Sequence, residues 1–154
     1  MASLERLILE RVQNRIQTVN GAGSYTYDLS AVDQVVFGDR FSPDRLPGVY
    51  INMIDTTTKQ EPGRTVLSRY DRVMKIQVEM WSGVTDSTPG LAMLEGADLF
   101  ADVRRAIESD RSLNNLVRDV ESIAASMDGS AAERPGLAFA VMMLTINYTE
   151  TAGA

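Results

Sequence analysis

Residues Arg72 to Trp81 read RVMKIQVEMW. Met74, Ile76, Val78 and Met80 fall on one parity, and Lys75, Gln77 and Glu79 fall on the other. Successive side chains of a strand point to opposite faces, so this period of two predicts a strand that covers a core on one side only. Its other side faces water or a partner. Such a strand needs neighbours beside it and a layer above it, and the flanking sequence offers both.

Upstream, Gly48 to Asp55 reads as a second strand, with Val49, Ile51 and Met53 alternating with Tyr50, Asn52 and Ile54. Between the two lies TTTKQEPGRTVL, Thr56 to Leu67, polar and broken by Pro62-Gly63. Hairpin connections usually take about two to five residues, so this stretch predicts a projecting polar arm. Gly38 to Pro47 is a proline-spaced surface loop, preceded by short β-like pieces at Tyr25 to Leu29 and Val32 to Phe37. Leu4, Leu7, Ile8, Val12, Ile16 and Val19 recur at helical steps. They predict a helix over Leu4 to Val19, with Ser3 as N-cap and Asn20-Gly21 as the stop.

Downstream, Thr88-Pro89 suits the N-cap and first position of a helix over Gly90 to Ser109. That helix is expected to bury Gly96, Leu99, Phe100, Val103, Ala106 and Ile107. Glu95, Asp98 and Asp102 precede Arg104 and Arg105, the order the helix dipole favours. Ser112 to Val117 reads as one further turn, and Arg118 to Met127 as a short helix followed by a strand. Asp128-Gly129-Ser130 and Pro135-Gly136 bracket a turn and loop. Leu137 to Thr149 is a long closing strand, with Ala140, Met142, Leu144, Ile146 and Tyr148 on one face and Thr145, Asn147 and Thr149 on the other. Residues 151–154 read as a small polar tail.

These elements fit a single α+β domain over residues 1–154, with an antiparallel-rich mixed sheet of about four main strands. Two main helices pack on one face, and the arm of residues 56–67 projects from it.

The 154 residues include no His and no Cys. Imidazole and thiol carry most acid–base, nucleophilic and transition-metal chemistry, so the composition turns the reading away from enzymes and calls for no cofactor. Asp39, Asp44 and Asp55 are near enough in sequence to suggest a hard-cation site, but their spacing matches no calcium loop and Asp beside Gly or Pro shapes turns. Gly21-Ala22-Gly23 follows a helix rather than a strand, so it lacks the context of a dinucleotide loop. The net charge of −6 argues against tight nucleic-acid binding. No apolar run approaches the roughly 20 residues of a membrane span.

What remains is a surface for assembly. Lys75, Gln77, Glu79 and Trp81 share a strand face, and Trp81 is the only tryptophan. Either that face is solvated and ends in an aromatic tucked under a loop, or it is a subunit interface anchored by the indole. In the second case Trp81→Ala weakens assembly more than folding.

The layout resembles the tail terminator, or tail completion, proteins of long-tailed bacteriophages. The resemblance is carried by the N-terminal helix, Leu46-Pro47-Gly48-Val49-Tyr50-Ile51, the polar arm, Tyr70 to Glu79, the helix around Leu94 to Ile107 and the closing strand to Tyr148. It implies a structural virion protein that caps the tail tube as a homo-oligomeric ring, a hexamer, and offers the joining surface for the head connector. The partners implied are further copies of the chain, the tail tube protein and the head-connector or neck protein. Genomic DNA would be passing cargo, and the location would be the host cytoplasm and then the neck of the virion. Interface candidates are Lys59, Gln60, Glu61 and Arg64 on the arm, and Lys75, Gln77, Glu79 and Trp81 on the strand. A neck protein of the same assembly and a small carboxylate-dependent enzyme are the alternative readings.

Overall fold

The computed structural model describes residues 2–38, 46–59, 69–83, 91–127 and 137–151. They form helix α1 (Leu4–Ile16), strands β1 (Val35–Phe37), β2 (Gly48–Lys59) and β3 (Arg69–Gly83), helix α2 (Leu91–Glu108), and strands β4 (Asp119–Met127) and β5 (Leu137–Thr151). The strands make one five-stranded sheet in the order β1-β2-β3-β5-β4. β1 runs parallel to β2, and every other pairing is antiparallel. The architecture is α+β, with a mixed and mostly antiparallel sheet.

β3 is the axis of the molecule. It pairs with β5 along its whole length, from Arg69 opposite Thr151 to Gly83 opposite Leu137. Its apolar parity is fully buried at Met74, Ile76, Val78 and Met80, and β5 adds Ala140, Met142, Leu144, Ile146 and Tyr148. On this face lie Ile8, Val12 and Ile16 of α1 and Leu99, Val103, Ala106 and Ile107 of α2, in one core cluster with the strand residues. Burying each large aliphatic side chain contributes about 1.5–3 kcal/mol. The helices therefore stay on the sheet through packing more than through propensity.

Several boundaries differ from the sequence expectation. α1 starts at its expected cap, with the Ser3 hydroxyl accepting from Arg6 N at 3.2 Å, but ends at Ile16 in a tight turn. Val19 is still fully buried just beyond it. Residues 25–29 are no strand, apart from an isolated bridge between Asn20 and Asp28. Residues 32–37 narrow to β1. Thr56 to Lys59 are not arm but a continuation of β2, facing Met74 to Asp71 of β3. The ladder satisfies backbone groups that an arm would leave to water.

Residues 119–127 form a strand throughout, where a short helix was expected first. The strand carries a register shift between Val120 and Ser122. It puts Val120 and Ile123, opposite Ile146 and Leu144, on the same face at a spacing of three. A bulge thus imitates a helical step. Ser112 to Val117 form a turn of another kind, in which Leu113, Asn114 and Asn115 have φ of 49°, 59° and 63°. The expected right-handed turn is therefore replaced by a left-handed one, a conformation that costs L-residues roughly 1–2 kcal/mol each. Local bonds hold it: Asp110 Oδ2 accepts from Asn114 N at 2.8 Å, and Ser112 Oγ accepts from Asn115 N at 3.1 Å. Full burial of Leu113 offsets the rest.

Candidate functional site

Both helices sit on the Met74 face, and among the described residues no helix covers the opposite one. The register across β2, β3 and β5 sets out that open face in rows. Gly48, Trp81 and Phe139 begin it, followed by Tyr50, Glu79 and Val141, then by Asn52, Gln77 and Met143. Asp55, Lys75 and Thr145 come next, then Thr57, Val73 and Asn147, and finally Lys59, Asp71 and Thr149.

The face is graded along its length. At one end the Trp81 ring packs on Phe139 with centroids 4.4 Å apart, and Trp81 and Tyr50 are 8% and 2% exposed. In the middle Gln77 donates to Glu79 at 3.2 Å, both half-buried, while Val141 and Met143 are half-buried beside them. Lys75 is exposed. At the far end Asp71 accepts from the Thr149 hydroxyl at 3.1 Å and pairs with Arg118 at 3.7 Å. Asn147 donates to Glu121 at 3.0 Å.

Parity thus brings Lys75, Gln77, Glu79 and Trp81 to one strand face, as the sequence predicts. Trp81, however, is not the exposed anchor that the interface reading required. It lies in the packing of its own subunit, because the end of the face where it stands is aromatic and closed. Lys59 ends β2 opposite Asp71, and Gln60, Glu61 and Arg64 lie outside the described residues.

The outer half of β2 is the most exposed stretch of strand among the described residues. Residues 53–58 are all exposed although they belong to a strand, with Met53 at 47% and Ile54 at 48%. β1 pairs only with Val49 to Ile51, and among the described residues no strand lies along the outer edge of Met53 to Thr58. A register shift lies between Met53 and Asp55, where Met53 and Ile54 are both about half exposed. Edge strands of this kind are templates for pairing with another chain.

A buried carboxylate on the helix layer, Asp102, was read from the sequence only as part of the dipole-favoured order of charges on α2. It is 1% exposed, and its Oδ2 accepts from the backbone N–H groups of Thr26 and Tyr27 at 2.8 and 2.7 Å. Arg105 approaches Oδ1 at 3.5 Å and donates to the Ser24 carbonyl at 2.6 Å. The signal was there: Asp102 falls on the apolar stripe, three residues after Leu99 and four before Ala106. A carboxylate in that position has to find donors, and the irregular Ala22–Leu29 segment provides them. Beside it the Tyr27 hydroxyl donates to the Glu95 carboxylate at 3.0 Å. Burial, with Glu95 next to it, pushes the Tyr27 pKa up to about 12, while Ser82 acts in the opposite direction. Burial likewise raises Tyr148, whose hydroxyl donates to Glu5 at 3.1 Å.

Among the described residues there is no group of three or more His, Cys, Asp or Glu side chains able to hold a metal ion. Asp55 is exposed on β2, and Asp39 and Asp44 lie outside the described residues. Gly21 and Gly23, with φ of +76° and +64°, turn the chain after α1. Among the described residues no helix is long and apolar enough to cross a membrane. Neither a family model nor a curated protein sequence matches this chain.

Proposed function

We propose that the protein is a structural subunit that assembles into a ring, and that the ring acts as the tail terminator of a long-tailed bacteriophage. The observation that carries this reading is the one-sided sheet. Its uncovered face bears half-buried Val73, Val141 and Met143 among polar neighbours, and beside it residues 53–58 of β2 are exposed on both sides of the strand. A closed ring with head-to-tail contacts requires two different surfaces on each subunit. The hairpin provides one and the open face the other. An interface whose core is moderately apolar and whose rim is polar matches the gradation along that face. In this reading the ring caps the tail tube and presents a surface to the head connector, and DNA passes through it. The overall charge of −6 favours a lumen to which DNA does not adhere.

The test is the absolute mass of the purified chain by light scattering across a range of concentrations. A hexamer of 16.9 kDa subunits gives about 100 kDa. Deleting Lys59 to Arg64 is expected to leave the fold intact and abolish the ring. A ring unchanged by that deletion overturns the role of the hairpin. A strict monomer, both alone and with tail tube protein, overturns the ring.

A further inference from the structure

A cleft of about 390 Å³ lies on the helix side of the molecule, away from the open sheet face. Arg11, Asn14, Arg15 and Thr18 line it from α1 and the turn that follows, and Asp110 and Asn114 line it from the left-handed turn after α2. Its charge is unbalanced. Arg11 makes no ion pair or hydrogen bond with any described residue, and neither do the side-chain amides of Asn14 and Asn114. Arg15 is held by neutral acceptors, the Ala106 carbonyl at 3.1 Å and the Ser109 hydroxyl, so no carboxylate neutralises it. The one acid in the wall is already committed: Asp110 accepts from Ser112 Oγ at 3.0 Å and from Asn114 N at 2.8 Å.

Two guanidinium groups and two amides therefore line a cleft whose one carboxylate among the described residues is already satisfied. Guanidinium and amide donors together suit a planar, acceptor-rich anion, which Arg binds in a bidentate manner. The strained turn gives the site its second wall. Three consecutive left-handed residues, including a fully buried leucine, hold Asn114 at the rim. Backbone strain of this kind persists only where its surroundings enforce it, and it collects at binding sites.

We propose that this cleft binds carboxylates, with Arg11 as the principal charge and Asn14 and Asn114 as the orienting donors. The site does not depend on the ring reading. The carboxylate belongs either to a free polycarboxylic acid or to an acidic segment of a partner protein.

The test is calorimetric titration of the full chain with citrate and, separately, with a tetraglutamate peptide. Arg11→Ala removes an unpaired charge, and Asn114→Gly removes the amide at a position where glycine relieves the strain, so both variants are expected to fold. Saturable binding that weakens at least about tenfold in each variant, and is unchanged in Lys75→Ala on the open face, supports the proposal. Tighter binding of the peptide than of citrate identifies an acidic protein segment as the ligand, and the reverse order identifies a free acid. Absence of saturable binding by both ligands overturns the proposal, as does binding that both variants retain within about twofold.

Discussion

On the helix-covered side of β3, Met74, Ile76, Val78 and Met80 are fully buried, whereas on the other side of the same strand Lys75 is exposed and Gln77 and Glu79 are half-buried. β5 repeats the contrast, with Met142 and Leu144 enclosed and Met143 and Thr145 half-buried. One face is a finished core. The other stops partway, with apolar side chains half-buried next to Gln77 and Glu79, which bond to each other. The difference shows that burial here follows from what lies on top of the sheet, not from strand propensity. The open face is also uneven, since at one end Trp81 and Tyr50 are buried while Phe139 beside them is half-buried.

That unevenness gives the sharpest test. Trp81→Ala removes a ring that is 8% exposed and packed on Phe139, and is expected to lower stability by about 3–5 kcal/mol, read as the shift of the urea midpoint. A loss below about 1 kcal/mol, with assembly weakened, would return Trp81 to the interface. The paired substitutions Met142→Ala and Met143→Ala compare the two faces at adjacent positions. The first is expected to cost about 2–5 kcal/mol and the second about 1 kcal/mol or less in the monomer. Equal costs would mean that the open face is already covered within the subunit.

Asp102→Ala withdraws the acceptor of two backbone N–H groups and is expected to cost about 2–3 kcal/mol. Faster amide exchange confined to Thr26 and Tyr27 would show that the loss comes from the segment Asp102 holds. Tyr27 adds a pH dependence. Its folded pKa of about 12 lies above the ordinary tyrosine value of 10.0, so its contribution is complete below pH 10 and is lost as the pH rises through 12. Tyr27→Phe is expected to flatten stability across that window, and an unchanged alkaline profile would contradict the assignment. The smallest expected effect on folding is that of Lys75→Glu, within about 0.5 kcal/mol, while the same change disrupts a subunit contact made through the face.

The covered face was legible because Met74 to Met80 and Ala140 to Tyr148 keep strict parity, and α1 and α2 keep helical steps. Legibility failed where the period was broken. The bulge between Val120 and Ser122 produced a spacing of three that belongs equally to a helix, and the left-handed turn at Leu113 to Asn115 carries no glycine to announce it. The parity of Lys75, Gln77, Glu79 and Trp81 placed them together, but parity alone says nothing of burial. Trp81 was closed over by Phe139, a cross-strand neighbour distant in sequence. The cleft at Arg11 was unreadable for the same reason, because it joins α1 to a turn about a hundred residues away and depends on which charges find partners.

The central claim, that the open sheet face is closed by another copy of the chain, can be measured with a single thiol, since the sequence contains no Cys. Lys75→Cys places one on the open face and Glu108→Cys places one on the exposed side of α2, and each is labelled with a bulky maleimide across a range of protein concentrations. Labelling at position 75 is expected to slow as the mass rises from monomer to ring, while labelling at position 108 stays constant. Equal labelling of both positions in the fully assembled ring would contradict it.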